Sequence, residues 1–141
     1  MKLNEFAIGQ KFETKSFKLS KEDIMRFAGE YDPQYMHLDE EKANQGRFNG
    51  IIASGIQTLA ISFKLWIEQG AYGDDVIAGT QMNHINFIKP VYPDDELHTI
   101  VEVIDIREKK NKTGILTVML STFNDKEEKV FEGDLSVLIK R

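Results

Sequence analysis

Cysteine is absent from the 141 residues, which excludes a disulfide framework, a thiolate zinc site, an iron-sulfur cluster and a cysteine nucleophile. Its absence suits a reducing cytosol, and a cytoplasmic protein is expected; no cofactor is expected. Proline is scarce, with only Pro33, Pro90 and Pro93. No linker, repeat or low-complexity tract divides the chain, so one domain over 1–141 is expected. Positive charge is also short, with 18 Lys plus Arg against 23 Asp plus Glu and a net charge of −5. No broad basic field is left to hold a nucleic-acid backbone, and no nucleic-acid partner is expected. No segment approaches the ~20 uninterrupted apolar residues of a membrane span. The opening residues Met1 to Phe6 lack the basic-then-apolar layout of a signal peptide, so no membrane partner is expected either.

The residues that are present organise clearly. Ser20 precedes Ile24, Phe27, Ala28 and Tyr31, which recur at i, i+3, i+4 and i+7, so the spacing predicts an amphipathic helix that stops before Pro33. A short helix is expected over Asp39 to Asn44, closed by Gly46. A longer one should be capped near Ser54 and ended by Gly70. Its apolar residues (Ile56, Leu59, Ile61, Phe63, Leu65, Trp66, Ile67) surround most of the axis, which predicts burial on nearly all sides.

After residue 76 the period falls to two. Ile77 to Val91, Glu96 to Glu108, Gly114 to Asn124 and Lys129 to Lys140 read as strands, with Lys11 to Lys18 a candidate first strand. In the last, Leu135, Val137 and Ile139 fall on one face while Asp134 and Ser136 fall on the other. Consecutive strands joined by tight turns pair antiparallel, and one apolar helix against them makes an α+β domain whose sheet curls round the helix.

Chemistry concentrates before the long helix. Pro33 keeps the segment from Tyr31 to Asp39 out of helix, and on such a loop Asp32 and His37 can turn toward one point. A carboxylate and an imidazole together hold and activate a water. A plain turn with a surface histidine is the bland alternative. Ser54-Gly55 opens the long helix, where free N–H groups and the positive dipole end attract a ligand oxygen; an N-cap followed by a packing glycine explains the same pair. His84 is a candidate pocket wall, and His98 reads as a solvated edge residue. No two histidines have metal-ligand spacing with a supporting carboxylate, so no metal is expected.

Phe27-Ala28-x-x-Tyr31-Asp32-Pro33-Gln34-x-Met36-His37-Leu38-Asp39, followed by Arg47-Phe48-x-Gly50-x-Ile52-Ala53-Ser54-Gly55, resembles the MaoC-like dehydratase and (R)-specific enoyl-CoA hydratase family of hot-dog proteins. The match continues through Asn86-Phe87-x-x-Pro90-Val91-x-Pro93-x-Asp95-x-Leu97. Tyr31 before the Asp, Gln34 and Tyr35 depart from the Gly-Asp-x-Asn-Pro-x-His of the hydratase branch; the Asp32-Pro33-Gln34 form fits the MaoC-like dehydratase branch better, and Tyr35 in place of the usual proline alters the loop.

The resemblance implies a hot-dog fold and a hydro-lyase acting on an enoyl or 3-hydroxyacyl thioester. Asp32 and His37 would bind the water, and the Gly55 N–H would receive the oxyanion. It implies an acyl-CoA or acyl-carrier thioester as partner, with Ser54, Arg47, Phe48, His84 and Lys89 as candidate binding residues. Arg47, Lys89 and the run Lys109 to Lys112 are the cations available to coenzyme A phosphates. Thioester hydrolysis on the same fold and a non-catalytic acyl-binding subunit are the competing readings. A homodimer is expected, because one small core leaves little concave volume and a curled sheet leaves an edge to cover.

Overall fold

Ser20 starts the first helix as its position predicts. In the computed structural model, which describes residues 1–141, its hydroxyl accepts the Asp23 N–H at 3.0 Å and opens α1 (Lys21–Tyr31). The helix ends at Asp32, whose φ of −151° and ψ of 72° are not helical. The next segment corrects the expectation of a loop: Tyr35–Leu38 forms one helical turn, α2. Pro33 bars helical geometry only at the residue before it, so the chain is free to coil again two residues later. Asp39 then accepts the Lys42 N–H at 3.1 Å and caps α3 (Glu40–Asn44).

Ser54 caps the long helix α4 (Gly55–Gln69), and Gly70 ends it in the left-handed region at φ 92°, a conformation that costs glycine little. One face of α4 carries Ile61, Leu65 and Trp66, all buried, and packs against the sheet. The opposite face corrects the prediction of burial all round, because Ile56 is 52% exposed and Ile67 42% exposed. A single sheet layer covers only one side of a helix, which leaves the other apolar stripe uncovered by this chain.

The sheet is antiparallel throughout. The expected first strand is split into β1 (Lys11–Glu13) and β2 (Phe17–Lys18), because Thr14 turns aside and its hydroxyl takes the Thr99 N–H at 2.9 Å. Both pieces lie along β4 (Glu96–Lys109); β5 (Thr113–Phe123) and β6 (Lys129–Lys140) follow, and β3 (Val76–Phe87) closes the order β1-β4-β5-β6-β3. β3 pairs with β6 on one side only, so it is an edge.

Alternation in β5 is strict: Leu116, Val118 and Leu120 point into the core. β6 behaves differently. Its polar residues Asp134 and Ser136 are buried as well as Leu135, Val137 and Ile139, and both are held by side-chain hydrogen bonds. Asp134 accepts from His84 Nδ1 at 2.6 Å, and the hydroxyls of Ser136 and Thr117 share a hydrogen bond at 2.7 Å.

Twenty-four buried apolar residues form one core cluster. Trp66 is its largest member, 5.0 Å from the Tyr72 ring and 5.3 Å from Phe12. Burial pushes the Tyr72 hydroxyl up to about 12, while the neighbouring Trp66 indole, short of full hydrogen-bond geometry, pulls the other way. A thread of hydroxyls crosses the same core. Ser62 donates to the Thr58 carbonyl at 2.8 Å, and its oxygen lies 2.5 Å from that of Thr122, itself 2.7 Å from that of Thr99. All three residues are fully buried, and in a low dielectric such a satisfied chain fixes the rotation of α4 on the sheet. His98 also differs from expectation: its side chain is 16% exposed and stacks on Phe123 at 5.7 Å, since β4 is paired on both sides. No helix is long and apolar enough to cross a membrane.

Candidate active site

The strand of residues entering α4 holds the site together. Ile52 donates its N–H to the Met36 carbonyl at 3.1 Å, and Ala53 donates to the Val91 carbonyl at 2.8 Å. This pins the segment between α2 and the loop after β3. The Ile52 carbonyl meets His37 Nδ1 at 2.6 Å. A carbonyl only accepts, so Nδ1 carries a proton and Nε2 is the nitrogen left to exchange one. Nε2 lies 3.2 Å from Asp32 Oδ2. His37 itself is buried, at 5% exposure.

Asp32 is reached from three directions. The Ser54 hydroxyl holds its carboxyl below the ordinary carboxylate range more strongly than any other group. Partial burial opposes this, and the Gln34 amide and His37 reinforce it. Gln34 Nε2 donates to Oδ1 at 2.6 Å. The carboxylate is therefore ionised at neutral pH and ready to accept from a water. Ser54 is fully buried, and its oxygen also accepts the Ile56 N–H at 3.2 Å. One hydroxyl thus caps the helix and sets the charge beside it.

The Gly55 N–H is the first of α4 and has no acceptor within the chain. It opens, with Asp32, His37, Ser54 and Thr58, onto a cleft of about 490 Å³, within the range of small-molecule sites. Gln34 and Lys89 also border it, and the rest of its wall is apolar, including Met36, Phe48, Phe87 and Val91. A cleft of this size within one chain exceeds the little concave volume expected.

The cleft therefore gathers six of the eight candidates: Asp32, His37, Ser54, Gly55, Phe48 and Lys89. Lys89 is already paired with Glu128 at 2.7 Å. The other two lie elsewhere. Arg47 sits exposed on the turn after α3, outside the cleft. His84 stands with its side chain 77% exposed, held by Asp134 on the sheet. Its backbone φ of 55° lies in the left-handed region, and β3 shifts register between Asn83 and Asn86. That bulge aims the ring along the sheet rather than into the cleft. Lys109 to Lys112 form an exposed hairpin end. Conversely, the Ile52 carbonyl, Thr58 and the Gln34 amide were not assigned roles in the sequence; the Asp-Pro-Gln order was the only pointer to Gln34, and a main-chain carbonyl leaves none.

Comparison with known proteins follows the geometry. The family model described as MaoC like domain matches residues 4–123. A curated relative, the uncharacterized protein YdeM of Bacillus subtilis (strain 168), is 79% identical over 141 residues, covering all of both chains. Among solved structures, the MaoC-like dehydratase from Rhodospirillum rubrum superposes with a TM-score of 0.92 at 33% identity, covering 100% of this chain and 97% of that one. The monoamine oxidase regulatory protein from Archaeoglobus fulgius gives 0.92 at 27% identity, covering 100% and 95%. The fold is the hot-dog fold expected from the sequence.

Proposed function

We propose that this chain, which belongs to the MaoC-like domain family, is a hydro-lyase that adds water to an enoyl thioester or removes it from a 3-hydroxyacyl thioester. The observation that carries the reading is the Asp32–His37 pair, with its tautomer set by the Ile52 carbonyl, facing the same cleft as the free Gly55 N–H.

In the hydration direction a water rests against Asp32 and His37 on the cleft side, in contact with both. Ionised Asp32 accepts one of its hydrogens and orients it; His37 takes the other proton at Nε2. The oxygen attacks C3, the C2–C3 π electrons move toward C1, and negative charge gathers on the thioester oxygen. The Gly55 N–H and the N-terminal dipole of α4 stabilise that charge. The proton from Nε2 then reaches C2, which completes the addition and returns His37 to its starting state. Dehydration is the reverse.

A hydrophobic cleft with one paired lysine suits the acyl and pantetheine portion of a CoA or carrier-protein thioester, with the nucleotide or carrier left outside. The test is the conjugated-thioester absorbance of crotonyl-CoA, which falls as C2=C3 is hydrated. Release of free thiol with the enoyl bond intact would replace this reading with thioester hydrolysis. Tight acyl-CoA binding without turnover would replace it with a binding subunit.

The homodimer belongs to the same proposal. Leu59, Ala60 and Phe63 of α4 and Met82 of edge strand β3 border one apolar groove of about 520 Å³, and Ile77 of β3 is 48% exposed. A second copy would pair the free strand and cover the stripe. Sedimentation at twice the chain mass is the expected result, and a fully active monomer would overturn it.

A further inference from the structure

We infer that Phe87 selects the substrate at C2, admitting flat thioesters without a C2 branch and rejecting those that carry one. This rests on the thioester reading above and adds a specificity-determining residue to it.

Phe87 ends β3. Its backbone pairs with Phe131 of β6, and its ring lies 5.9 Å from the Phe131 ring at 34°. After it the chain leaves the sheet, with Ile88 and Lys89 both donating to the Val130 carbonyl. The ring is thus fixed at its base, yet Phe87 remains 54% exposed and lines the cleft.

Its inner side rests on Gly55. A Cβ at that glycine would lie 2.8 Å from ring atoms Cδ1 and Cε1 and 2.9 Å from Cγ. In a helix the Cα–Cβ direction tilts toward the N-terminus, and the free N–H groups of the first turn point the same way. The ring accordingly stands beside the path by which an oxygen approaches the Gly55 N–H.

Once the thioester oxygen accepts from Gly55, C2 is two bonds away, and its substituent is set against the Phe87 ring. Hydrogen fits there, and the planar C1–C3 unit lies flat along an aromatic wall. A methyl on C2 needs carbon–carbon separations near 4 Å from the ring, space that Phe131 and Gly55 prevent the ring from yielding.

The test compares kcat/KM for crotonyl-CoA and for 2-methylcrotonyl-CoA in the wild type, Phe87→Ala and Phe87→Leu, with folding checked by circular dichroism. Comparing ratios between variants cancels the lower intrinsic reactivity of the branched substrate. The ratio is expected to fall about tenfold or more in Phe87→Ala, with Phe87→Leu between, the scale of one methyl group in a pocket. An unchanged ratio in folded Phe87→Ala overturns the inference, as does a loss of subunit association with the ratio unchanged.

Calorimetric binding of butanoyl-CoA and 2-methylbutanoyl-CoA reads the same discrimination without turnover. If the wild type hydrates neither substrate, the hydro-lyase reading fails while the affinity ratio still decides the role of Phe87.

Discussion

In Asp32→Asn and in His37→Gln, turnover of crotonyl-CoA falls about a thousandfold, within the range that a positioned acid or base contributes, while KM changes little. Asn keeps the shape of Asp32 but offers an amide where the water needs an anionic acceptor. Gln at 37 still reaches toward the Ile52 carbonyl but has no nitrogen that gains and loses a proton. Because the two groups act on one water, the double variant is expected to be no worse than either single one; additive losses would separate their roles, and full activity in either variant would end the assignment. The Asp32 carboxyl titrates below its ordinary 3.8, so no acid limb of kcat/KM above that pH belongs to it. The folded state holds the charged form, so ionised Asp32 stabilises the protein above the ordinary value. That stabilisation disappears as pH falls through the lower folded value. Asp32→Asn should therefore show a flatter loss of melting temperature in acid than the wild type.

Trp66→Ala should cost about 3–5 kcal/mol, the usual range for emptying a large buried aromatic site, against a total stability of roughly 5–15 kcal/mol. Trp66 is 1% exposed and is wedged between Phe12 of β1 and Tyr72 just beyond the end of α4. The melting temperature should drop by about 10 °C or more, with Trp66→Phe losing less because a ring remains. This is the only tryptophan, so unfolding has to be followed by circular dichroism rather than by intrinsic fluorescence. Trp66 lies eleven residues beyond Gly55 on α4, roughly 16 Å along the axis. Turnover at low temperature should therefore stay within a few-fold of the wild type. A stability change under 1 kcal/mol would show that the core closes over the gap, and a large fall in kcat with little destabilisation would show coupling along α4.

The ends of α4 were legible because their chemistry is local: Ser54 caps and Gly70 takes a positive φ wherever such a helix begins and ends. α2 was not legible, since four residues carry no periodicity and Pro33 reads as a stop. Alternation in β6 told polar from apolar but not that Asp134 would be buried; that depends on β3 arriving from far along the chain. Nor does an apolar circumference on α4 say whether the covering surface belongs to this chain or to another. At the site, Asp32 and His37 stood out by residue type and spacing. Arg47 and His84 have the right chemistry but the wrong direction, which is set for His84 by one backbone angle in a bulge.

Ser54 carries a consequence for how such a chain can change over generations. Its oxygen accepts the Ile56 N–H, and its hydroxyl lowers the pKa of the Asp32 carboxyl. Asp would cap α4 as well as Ser does, yet it would set a second negative charge beside Asp32. Gly would cost the helix little but leave the carboxylate without its donor. Thr keeps the hydroxyl, so the helix end and the Asp32 carboxylate together favour a hydroxyl side chain at position 54.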